Sequence, residues 1–299
     1  MVRSRPAPLL QRAGVPALFV LLWSTGFIGA RFGLPHAGPL TFLALRYGLA
    51  VGLLVLAALA TGAPWPRRPA EIGHYAVAGL LVHGAYLGGV FVGISLGVEA
   101  GVSALIVGLQ PLLTAALARV FLGERVAPRQ WVGLGLGLLG MALVLARKLG
   151  QGPGDAWGGL ACVGALLSIT AGTLYQKRFC AGMDLRTGSV VQFTAAGLVT
   201  APLALLFEGF RVEWTGEFVF ALLWLVLVLS LGAVSLLYVL IRRGAAAQVA
   251  SLFFLVPPCT ALIAWPLFGE TLSPLALLGM ALTAAGVALA GRPRASGKP

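Results

Sequence analysis

The sequence predicts an all-α integral membrane fold of ten transmembrane helices, built as two inverted five-helix repeats around a central cavity. Three observations predict it. Hydrophobic residues make up 59% of the chain and charged residues 10%, with a mean hydropathy of +0.95, whereas a soluble domain carries about 25% charge. Ten apolar runs, most of bilayer-crossing length, are separated by short connections such as Ala63-Pro64-Trp65-Pro66. The stretch Val102–Gly140 recurs without gaps 146 residues later as Gln248–Gly286, with Pro111 falling on Pro257, Gly123-Glu124 on Gly269-Glu270, Pro128 on Pro274, and Gly133 and Gly140 on Gly279 and Gly286. A period that long marks a duplicated half, giving units 1–148 and 149–299.

In chain order the predicted spans are Val15–Phe32, Leu40–Thr61, Ile72–Leu96, Ala100–Leu122, Gln130–Leu145, Trp157–Phe179, Gly188–Phe207, Glu217–Ile241, Ala246–Phe268 and Leu275–Gly291. The first follows Arg3, Arg5 and Arg12 but lacks an A-x-A cleavage site, so it is a retained helix rather than a signal peptide. The second carries Arg46, the one cation well inside a span, where a guanidinium fork can hold a carboxylate or snorkel outward. The third carries His83 and Tyr86, three residues apart and so on one face of a regular helix. A mid-membrane histidine is costly unless it faces a cavity or a partner. The fourth is broken by Pro111, with Gln110 beside it, and the ninth by Pro257 and Pro258. Each proline displaces the carbonyl four residues back, at Val107 and Phe253, which fits gating hinges at a substrate site.

The remaining spans add fewer polar groups. Trp23, Ser24 and Thr25 lie near mid-depth in the first, and Thr173 and Tyr175 lower in the sixth. With His83, Tyr86 and Gln110 they make a polar-aromatic pocket suited to a small zwitterion, each also open to reading as an interhelical packing group. Glu124 and Glu270 precede Pro128 and Pro274 and read as caps of the helix that follows. Gly135-Leu136-Gly137-Leu138-Leu139-Gly140 matches a dinucleotide fingerprint, but no strand precedes it, and Gly133 and Gly137, like Gly89, Gly93 and Gly97, read instead as ridges for close helix approach.

Charge distribution gives orientation. With the N-terminus inside, roughly fifteen basic residues fall on the cytoplasmic side and four (Arg31, Arg147, Lys148 and Arg211) on the other, so both termini are cytoplasmic. The net charge of +12 is dispersed between apolar runs rather than gathered in a nucleic-acid patch. Cys162, Cys180 and Cys259 are too far apart for a disulfide framework or zinc site, and no cofactor motif is present. None of the nine carboxylates falls in the middle of a span, so no acidic proton relay is expected.

Trp23-Ser24-Thr25-Gly26-Phe27-Ile28-Gly29-Ala30-Arg31, Pro39–Tyr47 and the doubled Gly-Glu turns resemble EamA-type members of the drug/metabolite transporter superfamily over Val15–Gly291. The resemblance implies ten helices in two inverted halves, a central cavity and transport of a small metabolite, often outward. The expected function is secondary transport of a small polar or zwitterionic metabolite, an amino acid being one candidate, across a bacterial-type inner membrane. A facilitative pore of the same architecture and an intramembrane enzyme on lipid-linked substrates are the alternatives. The partners expected are the metabolite and the lipid bilayer.

Overall fold

A backbone in lipid must satisfy its own hydrogen bonds, and apolar runs without alternation do so as helices. The computed structural model describes residues 9–114, 117, 128–148, 153–233, 236, 253–270 and 273–291; among them there is no strand, only an isolated bridge between Ala37 and Val212. The helices are α1 (Leu9–Gly33), α2 (Pro39–Ala60), α3 (Pro69–Gly79), α4 (Tyr86–Ser95), α5 (Ala100–Val107), α6 (Pro128–Lys148), α7 (Pro153–Phe179), α8 (Leu185–Glu208), α9 (Gly216–Leu223), α10 (Val256–Phe268) and α11 (Pro274–Gly291). A π-helical segment, Leu80–Ala85, joins α3 to α4, and a second, Trp224–Ala233, continues α9. Among the described residues six helical stretches are long and apolar enough to cross a membrane: Gly14–Gly33, Pro39–Ala60, Pro69–Ser95, Ala156–Phe179, Leu185–Glu208 and Gly216–Ala233. The protein is a multi-pass membrane protein.

Its surface supports this. Leu198, Leu206 and Phe207 are 70%, 77% and 78% exposed, and Leu56, Leu59, Leu262 and Trp265 are also open. Water would penalise such a belt at about 25 cal/mol per Å² of apolar area, and lipid does not. The interior is aromatic, with Phe19, Phe42, Tyr47, Phe91 and Phe218 fully buried in one cluster.

Two helix pairs organise the bundle. In α6 and α11, a Cβ on Gly140 would collide with the carbonyl of Gly279, and one on Gly286 with the carbonyl of Gly133. Only glycine permits this antiparallel approach, and the two contacts exchange under the sequence repeat. The expected glycine ridge is therefore realised. The second pair, α2 and α8, is tied at both ends. At one end Glu208 accepts hydrogen bonds from the Leu40 and Thr41 amides, 2.9 and 2.7 Å, and from the Thr41 hydroxyl, 2.6 Å. At the other, Arg186 Nη1 donates to Thr61 Oγ1 and Thr187 Oγ1 to the Pro64 carbonyl, both 2.7 Å.

Two expectations about helix breaks and caps change. Pro257 and Pro258 do not bend the interior of a helix: α10 starts at Val256 with proline in its first turn, after a 3₁₀ turn at Phe253–Leu255. There the missing N–H costs nothing, since first-turn amides have no helical acceptor. Glu270 caps a helix of the other half rather than the one that follows it. Its carboxylate accepts the Ala100 amide at the start of α5, 3.2 Å, with Arg31 3.8 Å away. Burial pushes this carboxyl above the ordinary glutamate range. Glu124 lies outside the described residues.

Candidate functional site

The first π-helical segment packs on α7 and α8, and the second on α1, α9 and α2. A π turn carries one residue more than an α turn and leaves side chains and carbonyls off the regular register. In the first segment the His83 carbonyl accepts a hydrogen bond from Tyr47 Oη at 2.7 Å. The His83 ring stacks on Phe193 with centroids 4.1 Å apart and lies beside the Gln192 side chain. Because the path from His83 to Tyr86 crosses from π to α geometry, their shared environment owes nothing to a 3.6-residue period. In the second segment Ser230 Oγ donates to the Leu225 carbonyl, five residues back, at 3.1 Å and accepts from Arg46 Nη2 at 3.3 Å. Arg46 is 6% exposed and within electrostatic reach of His83 and Tyr86.

The other predicted residues fall into three places. Trp23 meets Phe253 edge-on, centroids 5.1 Å apart, and both, with Tyr86 and Val107, are partly exposed members of the central aromatic cluster. Gln110 Nε2 donates to Thr173 Oγ1 at 3.1 Å and to Thr114 Oγ1 at 3.4 Å, so these two predicted residues do come together, bridging the α5 side to α7. Thr25 accepts a hydrogen bond from Trp224 Nε1 at 2.8 Å while donating to the Leu22 carbonyl, which places it in a helix–helix contact. Tyr175 stands apart from the others. Its hydroxyl is 2.8 Å from His74 Nδ1, in a separate cluster with Cys180 and Met183.

The proline breaks do meet. α5 ends at Val107, the residue whose carbonyl Pro111 displaces, and a Cβ on Gly108 would press on Pro257 Cγ. Beside this crossing lies a cavity of about 190 Å³, lined by Leu105, Gly108, Pro257, Pro258, Met280 and Thr283 among others. Its walls are apolar except for Thr283, and His83, Tyr86, Gln110 and Trp23 do not line it. This cavity therefore borders the expected gates and not the expected polar pocket.

The repeat relates the two π segments directly. Displaced by 146 positions, Leu80–Ala85 falls within Trp224–Ala233, and Arg46-Tyr47 falls on Gln192-Phe193. The EamA-like transporter profile matches twice, over residues 15–146 and 156–292. The chain belongs to the EamA-like transporter family. Similar curated proteins include "Uncharacterized transporter YvbV" of Bacillus subtilis, 28% identical over 94% of this chain and 92% of that protein. Another is "Probable terminal-alkyne amino-acid exporter" of Streptantibioticus cattleyicolor, 28% identical over 92% and 91%. A third is "Probable amino-acid metabolite efflux pump" of Salmonella typhimurium, 25% identical over 90% and 91%. A solved crystal structure shares the fold, with a TM-score of 0.66 at 23% identity over 94% of this chain and 96% of that one. The EamA-like relatives are named as transporters or efflux pumps, and this protein is a membrane transporter rather than an enzyme.

In this EamA-like chain, sequence reading missed Gln192, Phe193, Ser230 and Phe253. The repeat offset applied to Arg46-Tyr47 would have found Gln192-Phe193. Nothing local in the sequence marks the π turns that bring Ser230 onto Arg46.

Proposed function

We propose that the protein is a secondary transporter of ten helices, in two inverted five-helix units at 1–148 and 149–299, that moves a small polar or zwitterionic metabolite outward by alternating access. The observation that carries this reading is the reciprocity of contacts: Gly140 with Gly279 and Gly286 with Gly133, pairs that exchange under the repeat offset. Two halves joined by a pseudo-two-fold axis in the membrane plane can rock about a site at their interface. The bias of basic residues supports an orientation with both termini in the cytoplasm, read here as that of a bacterial-type inner membrane. An amino acid as cargo is favoured by the printed names of two relatives and by the pairing of aromatic walls (Trp23, Tyr86, Phe253) with hydrogen-bonding groups (His83, Gln192, Gln110).

In this reading helices α5 and α10 are the gates, at the Gly108–Pro257 crossing, with Pro111 and Pro258 beside it. Counterflow in proteoliposomes tests it. Radiolabelled amino acid outside should accumulate faster when the vesicles are preloaded with the same amino acid. Flux that preloading leaves unaccelerated belongs to an open pore and overturns alternating access.

A further inference from the structure

Every carboxylate among the described residues belongs to a helix end or a connection: Glu71 and Asp155 in first turns, Glu99 and Asp184 at N-caps, Glu208 closing α8, Glu213 and Glu217 around the start of α9, and Glu270 after α10. Arg46 sits two turns inside α2, buried, with Ser230 Oγ as a hydrogen-bonded partner and its Nε without one among the described residues. A buried guanidinium is normally matched by a carboxylate, because desolvating an unpaired cation costs several kcal/mol. Among the described residues every acid lies at a helix end or in a connection, and none lies two turns inside a helix as Arg46 does. A bound anion is the remaining source of a matching charge.

We infer that Arg46 and Ser230 form the seat for the carboxylate group of the cargo. Nε, without a partner among the described residues, supplies one N–H donor of the fork that carboxylates accept. The π turn of Trp224–Ala233 holds the Ser230 hydroxyl against Arg46 and sets the direction of the fork. Across the repeat, the equivalent of Arg46 is Gln192, a neutral group beside His83. The site thus has a cationic pole and a neutral pole. It takes a monocarboxylate whose other polar group, an amino acid's ammonium included, is held by hydrogen bonds at the neutral pole, and it disfavours organic cations that bring no carboxylate. This assignment rests on the transporter reading and names the chemical class of its cargo.

The experiment uses the purified full-length protein in detergent, with thermal shift read against the proteinogenic L-amino acids, their amides, the corresponding decarboxylated amines, and sodium chloride at matched ionic strength. Ligand bound to the folded state raises the melting temperature. Free acids should stabilise and their amides and amines should not. Arg46→Gln should weaken the best acid at least about ten-fold, and Ser230→Ala, which removes a single hydroxyl and keeps the cation, several-fold. Should Arg46→Gln fail to fold, Ser230→Ala and Arg46→Lys still carry the test, since both should weaken acids and leave chloride indifferent. Amides or amines binding as well as acids, no acid binding at all, or an unchanged acid affinity in Ser230→Ala and Arg46→Lys would each overturn the seat. Chloride protecting as well as the acids would replace it with an inorganic-anion site. Acid binding without counterflow would sink the transporter reading and leave the seat standing.

Discussion

The two halves of the molecule break their helices in the same places and fill those places with different chemistry. Leu80–Ala85 and Trp224–Ala233 are widened at equivalent positions, but His83 is matched by Leu229, Tyr86 by Gly232 and Gly84 by Ser230. Arg46 is matched by Gln192 and Gln110 by Val256. Backbone devices, then, are shared, and side-chain chemistry is private to one half. Glycine and proline act through steric rules common to both copies. A cargo without two-fold symmetry requires two different poles.

The strongest way to break the shared part is to fill a glycine crossing. Gly140→Leu or Gly286→Leu drives a side chain into a facing backbone, which a flexible neighbour cannot relieve. Either should cost about 3 kcal/mol or more, read as loss of the monodisperse folded species or a large fall in melting temperature. Gly135→Ala on the same helix, where a Cβ meets open space, should be neutral or slightly stabilising. Equal damage at Gly135 would mean that helix propensity, and not the crossing, decides.

The private part is sharpened at the helix ends. Glu208→Gln keeps the shape of the α2 cap and removes its charge, and should destabilise by about 1 kcal/mol in thermal unfolding. Glu270 gives a pH signature. Its carboxyl lies above the ordinary value because it is buried, so the folded protein keeps that proton to higher pH than the unfolded chain does. The stability this group contributes is present below the ordinary glutamate range and lost as pH rises toward the higher folded value. Asp184 runs the other way: hydrogen bonds from Arg186 hold it low, so its contribution is present above the ordinary aspartate value and lost as pH falls through the lowered one. Melting temperature followed through mildly acidic pH should lose the first slope in Glu270→Gln and keep it in Asp184→Asn. The smallest effect is expected from Tyr175→Phe. It removes a bond to His74 away from the central cluster and should leave cargo binding unchanged. A binding defect there would return Tyr175 to the pocket.

Much of the architecture was legible because the period is written in residues that act on the backbone. Pro111 and the Gly133/Gly140 matches of the repeat announce breaks and crossings wherever they occur. The site was less legible, for two physical reasons. A π turn is an insertion in register with no composition of its own, so Ser230 gave no sign that it would reach Arg46. Hydrogen-bonding residues also serve two purposes in lipid. Thr25 was expected in the pocket and is bonded to Trp224, while Gln110 and Thr173 were expected there and are bonded to each other. Glu270 was misread because local capping rules consider only the helix that follows, and the nearer open amides belonged to Ala100, 170 residues away in sequence.

The ties between α2 and α8 have a mechanical consequence. With Glu208 pinned to Leu40 and Thr41 at one end and Thr61 and Pro64 pinned to Arg186 and Thr187 at the other, the two rods behave as a single strut. Sliding one past the other would strip a charged group from its amides, so whatever flexing admits cargo leaves the strut whole. On the proposed gating it is absorbed where the chain is already interrupted, at Gly108-Leu109 and in the turn ahead of Val256.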